Sequence, residues 1–385
     1  MAAPSFDKLA ASLQDSSGNE PLDARFRALF TLKGLAPNDT QRVINIIDKA
    51  FDNNDSALLK HELAYVLGQI QDEKAITCLE RVLRDVKEHP MVRHEAAEAM
   101  GAISSQKALP ILKEFLQDEN VSVRETCELA LEKIEFDHGL SAASSSSSRS
   151  KTNGEESEGA ALARAKAAAS LPEESSNPDM DNVDGSFLPI DPAPAHSLKV
   201  DTLLSSIPLY KAQLTAGDSL PLFQRYRAMF SLRNAVHAAR RRSQQPNISS
   251  SARQQYESQA KDAIEALADG LSDKSALFRH EICFVFGELA HPACAESMVR
   301  VLSDSKEEEM VRHEAAEALG AVVEEGEEAS GGEADQVQAT TAKIMDTLKR
   351  WAEDQQAPRV VRESCIVALD EMAYNNDPSQ FQPVA

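Results

Sequence analysis

The sequence predicts an all-α chain: an α-solenoid of eight helical-hairpin repeats in two pseudo-symmetric four-repeat halves. Three observations predict it. First, Met-Val-Arg-His-Glu-Ala-Ala-Glu-Ala stands at residues 91 to 99 and again, unchanged, at 310 to 318. Looser copies of its core lie 33 residues before each, at Leu59-Lys60-His61-Glu62 and Phe278-Arg279-His280-Glu281. Second, His61 to His280 and His94 to His313 are both separations of 219 residues, so a duplicated half-chain carries the His-Glu pairs as a set. Third, the apolar positions recur at helical spacing in short segments, none of which can hide its apolar face alone. Such units are stable only when stacked.

The elements follow in order. Residues 23 to 34 match 223 to 234 at an offset of 200, making Arg27 and Arg227 partners. Leu63, Val66, Leu67 and Ile70 mark one buried helix face after His61, and Ile76, Leu79 and Leu83 mark the returning helix. Pro90 suits the first turn of the next helix, whose apolar positions include Ala96, Met100 and Ile103. Each half thus holds four units, keyed by Arg27, His61, His94 and Arg124 in the first and by Arg227, His280, His313 and Arg362 in the second.

The offset grows from 200 to 219 before the first pair and to 238 by Arg124 and Arg362, which requires two insertions of 19 residues in the second half. The Arg/Ser/Gln-rich run 237–255 and the Glu/Gly/Ala-rich run 323–341 account for them, the first being expected as a solvated loop carrying Arg240, Arg241 and Arg242. The domain division is therefore 1–138, then a linker over 139–199, then 200–385. The linker contains the serine run Ser144 to Ser148 and too few apolar letters to order most of it. Its Phe187-Leu188-Pro189-Ile190 stretch is the part suited to docking on one half.

Composition narrows the function. Sixty-two acidic against forty basic residues give a net charge of −22, which disfavours nucleic acid and favours a basic partner or cationic substrate. Without a leader-like start or a long apolar run, no membrane span or secretion is expected. Five cysteines without a Cys-x-x-Cys pair fit a reducing compartment, with Cys127 and Cys365 as buried thiols at equivalent positions.

The His-Glu pairs are confined to the two central units of each half, whereas the outer units keep the Arg and lack the His. A requirement of folding would have placed them in all. Each pair falls in the first turns of its helix, where the partial positive charge favours neutral imidazole and ionised carboxylate, the metal-binding forms. His61, Glu62, His94, Glu95, His280, Glu281, His313 and Glu314 offer four imidazoles and four carboxylates with no thiolate. That set suits two first-row ions, iron or manganese, better than a structural zinc. Glu98 and Glu317, three residues after Glu95 and Glu314, lie on the same helix face as spare negative charges suited to an ammonium group, or else form a solvated surface. Gly68, Gly101, Gly287 and Gly320 recur seven residues after each His, a spacing suited to close helix packing.

On these duplicated pairs the chain resembles deoxyhypusine hydroxylase, the HEAT-repeat di-iron monooxygenase family, across both four-repeat halves. The resemblance implies HEAT-type repeats and two Fe(2+) ions per chain. It also implies O2 as co-substrate, an external electron donor, and hydroxylation of the deoxyhypusine side chain of a translation initiation factor to complete hypusine. It further implies that His61, His94, Glu95 and Glu281 bind one iron and that His280, His313, Glu314 and Glu62 bind the other. Gly68 and Gly287 would lie beside the substrate's polyamine chain, with Glu98, Glu317 and Met310 nearby. The expected partners are that protein substrate alone, with no nucleic acid and no membrane, for a monomer of the cytoplasm and, secondarily, the nucleus. The rival readings are a metal-binding HEAT-repeat scaffold for a basic protein and a helical-repeat lyase acting on tetrapyrroles, which would not require four equivalent pairs.

Overall fold

A computed structural model describes residues 5–15, 18–52, 54–140, 189–326 and 332–375. Among these the regular structure is helical and contains no strand, and no helix is long and apolar enough to cross a membrane. The helices are α1 (Phe6–Gln14), α2 (Leu22–Leu35), α3 (Thr40–Asp52), α4 (Ala57–Ile70), α5 (Ile76–Arg84), α6 (Pro90–Ile103), α7 (Leu109–Glu114) and α8 (Val121–Asp137). After the linker come α9 (Val200–Ser205), α10 (Ile207–Leu214), α11 (Leu222–Ser243), α12 (Ser250–Asp269), α13 (Ala276–Leu289), α14 (Ala295–Ser303), α15 (Glu309–Gly326), α16 (Gly332–Glu353) and α17 (Arg359–Asn375).

The repeat is legible in its joints. Ser56 caps α4 by accepting from the Leu59 amide at 3.1 Å, and Pro90 opens α6 where no intrahelical amide is needed. α4 and α6 each end on a left-handed residue, Gln71 at φ 54° and Ser104 at φ 55°, followed by a short 3-10 turn into the next helix. A buried arginine then ties the start of an inner helix to the end of the outer helix before it. Arg93 Nε donates to the Leu83 carbonyl at 2.9 Å and Arg312 Nε to Leu302 at 3.0 Å. Arg25 and Arg225 do the same to Leu13 and Leu214.

Contacts divide the chain into two compact units, residues 1–134 with 286–385 and residues 135–285, a division different from the two repeat halves. In the first unit α4 packs on α6, α15 on α17, and α17 also on α2 and α4. Ion pairs reinforce the last junction: Arg359 with Asp55 at 2.9 Å, and Arg27 with Asp370. Ser56 Oγ also donates to Glu363 at 2.7 Å. The first and last repeats of the chain therefore belong to one core. In the second unit α11 packs on α12, with α9 and α10 against α11.

Two expectations need correction. The run 237–255 is not a loop: it lengthens α11 through Arg240, Arg241 and Arg242 to Ser243 and opens α12 at Ser250, so only residues 244–249 join the two helices. Its Ala and Arg are good helix formers, and the three arginines sit in the last turn, where cations oppose the helix dipole favourably. The run 323–341 is likewise helical at both ends, since α15 continues to Gly326 and α16 begins at Gly332. The linker also ends earlier than its composition suggests. Residues 189–199 pack on α11, with Asp191 pairing Arg233, the Pro194 carbonyl accepting from Arg227, and the His196 amide donating to Ser231. The serine run and Phe187-Leu188 lie outside the described residues. All five cysteines are free and buried, and burial pushes the Cys127 and Cys365 thiols up to about 12.

Candidate metal centre

All four site helices carry their histidine at the same register. α4, α6, α13 and α15 begin at residues 57, 90, 276 and 309, and His61, His94, His280 and His313 each stand four residues later, followed by Glu62, Glu95, Glu281 and Glu314. All eight side chains are buried, His94 and His313 completely. The polar residues thus occupy an inward-facing stripe where helices of this kind otherwise place apolar ones, and burying them is costly without compensating charge.

Within the first unit, His61, His94 and Glu95 bring one donor atom each within 4.8 Å of one another, and His313, Glu314 and Glu317 do the same. The two groups adjoin, because the His61 ring centroid lies 5.6 Å from that of His94 and 5.0 Å from that of His313. His61 Nδ1 bonds Glu62 at 3.1 Å and its Nε2 approaches Glu95 at 3.2 Å. Residues from the first and second halves of the sequence therefore meet in one buried cluster. His280 and Glu281 belong to the second unit, buried at the corresponding register of α13.

Burial alone would lower the His61 pKa, but the Glu95 carboxylate, with hydrogen bonds from Glu62 and Glu95, outweighs it and holds the ring well above its ordinary value. The surrounding carboxylates thus favour the protonated ring. Glu98 is pushed well above the carboxylate range by burial and then by Glu95 and Glu314, although His61 opposes this. Glu317 moves the same way, through burial, Glu62 and Glu314. A cluster whose carboxyls are pushed up and whose histidine is drawn toward its charged form is rich in buried negative charge. Divalent cations taking oxygen and imidazole donors, with no thiol in the set, fit it.

The remaining sequence candidates are also located. Glu98 and Glu317 are half-buried on the site faces of α6 and α15, Glu317 lying 3.5 Å from His313 Nδ1. Met310 is buried, and Ser122 of α8 donates to its sulfur at 3.4 Å. Gly68 faces Ala99, where an added Cβ would come within 2.8 Å of the Ala99 Cα, whereas at Gly287 the nearest atom of Ala318 would be 3.4 Å away. Sequence reasoning missed Tyr65, three residues after Glu62. Its phenol is raised by burial first and then by Glu62, Glu95, Glu288 and Glu314, and the Lys33 ammonium lies 5.3 Å from its ring. The repeat lattice carries no signal for it, since the equivalent of Tyr65 at an offset of 219 is Phe284.

The fold and this cluster define a helical-repeat protein with a buried histidine-glutamate centre, and comparison with known proteins agrees on the repeats. A family model for HEAT repeats matches residues 45–132 and 264–370. The deoxyhypusine hydroxylase of Mycosarcoma maydis is 50% identical over 395 residues, covering 98% of each chain. That of Drosophila melanogaster is 40% identical over 363 residues, covering 94% of this chain and 90% of its own. The human deoxyhypusine hydroxylase structure, in complex with glycerol, superposes with a TM-score of 0.65 at 36% identity and 96% coverage of both chains. This chain belongs to the deoxyhypusine hydroxylase family.

Proposed function

We propose that the chain is a di-iron monooxygenase. In this reading it hydroxylates the deoxyhypusine side chain of the hypusine-containing translation initiation factor, with dioxygen as co-substrate and an external electron donor. The observation that carries this reading is the 5.0 Å approach of His61 to His313, equivalent members of the two sequence halves, inside a buried cluster of imidazoles and carboxylates. His61, His94, Glu95 and Glu281 would hold one iron, and His280, His313, Glu314 and Glu62 the other. When bound, the irons would supply activation of dioxygen for insertion of one oxygen atom into a C–H bond.

The chain's own contribution is position and charge. Four ligand carboxylates neutralise two divalent ions, and the helix starts fix the eight side chains on rigid backbone. Glu98 and Glu317 remain as carboxyls at the same faces, where the ammonium groups of a polyamine-like side chain would favour their ionised form, with Met310 supplying apolar contact. Gly68 serves by letting α4 close on α6, which keeps His61 near His94, while Gly287 leaves more room beside α15.

The test is incubation of the iron-loaded protein with the deoxyhypusine-bearing factor, a reductant and oxygen, followed by mass measurement of the factor. A gain of one oxygen atom is expected at the modified lysine, and no gain with a fully iron-loaded protein would overturn the reading. Glu98→Gln and Glu317→Gln should keep the iron and raise KM. Loss of iron in both would place these residues among the ligands instead.

A further inference from the structure

The duplication that built the site also built two copies of a surface, and only one has a described cover. At the offset of 200, Arg227, Phe230 and Arg233 of α11 stand where Arg27, Phe30 and Lys33 stand on α2. On α11 the Arg233 guanidinium lies 4.8 Å over the Phe230 ring and bonds both oxygens of Asp191, at 2.6 and 2.7 Å. Arg227 Nε donates to the carbonyl of Pro194 at 2.9 Å, and Phe230 is fully buried. The Asp-Pro-Ala-Pro segment, residues 191 to 194, is thus held by a cation, a ring and a second arginine.

On α2 the same groups are present without such a segment. Arg27 pairs with Asp23 and Asp370, Lys33 is half-buried at 5.9 Å from the Phe30 ring and 5.3 Å from that of Tyr65 with no carboxylate in ion-pair contact among the described residues, and Phe30 is 42% exposed. Beside them Arg27, Phe30, Asp370 and Tyr374 line a cleft of about 220 Å³. The flanking contact is duplicated too. Phe136, near the end of α8, lies 5.1 Å from the Arg227 guanidinium, and Tyr374, its equivalent at an offset of 238 near the end of α17, lies 5.6 Å from that of Arg27. Each half's last helix therefore delivers the chain next to a face of the same kind.

Asp-Pro occurs twice in the sequence, at Asp191-Pro192 and at Asp377-Pro378. We propose that the Phe30–Lys33 face of α2 is a docking site for an acidic Asp-Pro segment, and that its occupant is the stretch of this chain beginning at Asp377-Pro378, Asp377 taking Lys33 as Asp191 takes Arg233. The stretch itself lies outside the described residues. The reach is adequate: three residues beyond Tyr374 span up to about 10 Å, and Lys33 lies about 9 Å along α2 from Arg27.

Zero-length carbodiimide coupling of the full chain, followed by peptide mass mapping, tests this. A Lys33–Asp377 amide within single chains is expected. Lys33 should also react with an amine reagent about two- to fivefold faster in Asp377→Ala than in the parent, the range an exposed ion pair supports, while exposed Lys343 reacts equally in both. Equal Lys33 reactivity with no such cross-link would overturn the proposal. So would protection of Lys33 that persists in Asp377→Ala and grows with protein concentration, since a second copy would then be the cover.

Discussion

At the residue scale, the buried Arg93–Asp118 pair shows how the polar framework behind the site is held. Arg93, next to His94, bonds both oxygens of Asp118 at 3.2 and 2.6 Å as well as the Leu83 carbonyl, and both side chains are more than nine-tenths buried. Burial opposes ionisation of Asp118, but the hydrogen bond from Arg93 outweighs it and holds the carboxyl below its ordinary value. Because the folded pKa lies below the unfolded one of about 3.9, this contribution is complete above roughly pH 4 and lost as pH falls through the folded value. Asp118→Ala should lower stability by about 2 to 3 kcal/mol at pH 7, because it strands a buried guanidinium, and by progressively less below pH 4. Urea unfolding at stepped pH measures it; a difference that is constant with pH would contradict the assignment.

At the scale of elements, the two glycines at equivalent positions are expected to behave differently. Gly68→Ala forces a contact of 2.8 Å onto the backbone of α6, and Gly287→Ala one of 3.4 Å onto α15, an ordinary separation. Overpacking should cost Gly68→Ala about 1 to 3 kcal/mol and disturb the His61–His94 spacing. Gly287→Ala should be neutral or gain up to about 1 kcal/mol from helix propensity. Thermal unfolding with elemental analysis separates them, and equal effects would mean that α4 and α6 do not pack as closely as described. This scale is also where the sequence was most readable. The site helices announced themselves because a buried polar motif cannot drift in register without losing its site, so the four histidines kept identical helical positions. The first insertion was misread because Ser and Gln suggest a loop, whereas the Ala and Arg among them extend α11, an existing helix that needs no new nucleation. Tyr65 escaped because its counterpart Phe284 breaks the internal symmetry on which the sequence reading relied.

For the whole molecule, the duplicated halves and the compact units are different divisions, and the polar contacts between distant parts of the sequence say why. Arg359–Asp55 joins residues 304 positions apart, and Ser56–Glu363 spans 307. No local pattern in the sequence encodes such a junction; only duplication hinted that the ends of the two halves are interchangeable. Reversing Asp55 to Arg should loosen α17 from α4 and lower stability by about 1 kcal/mol or less, since the pair is exposed, yet leave the histidine cluster intact. A collapse of metal binding in that variant would show that the exposed rim, not the buried core, holds the first unit together. The central claim is that histidines from both halves serve one dinuclear centre. X-ray absorption with elemental analysis of the purified chain tests it most directly. About two irons per chain with an iron–iron distance near 3.5 to 4 Å is expected; two irons without a metal–metal vector, or a catalytically active protein holding only zinc, would contradict it.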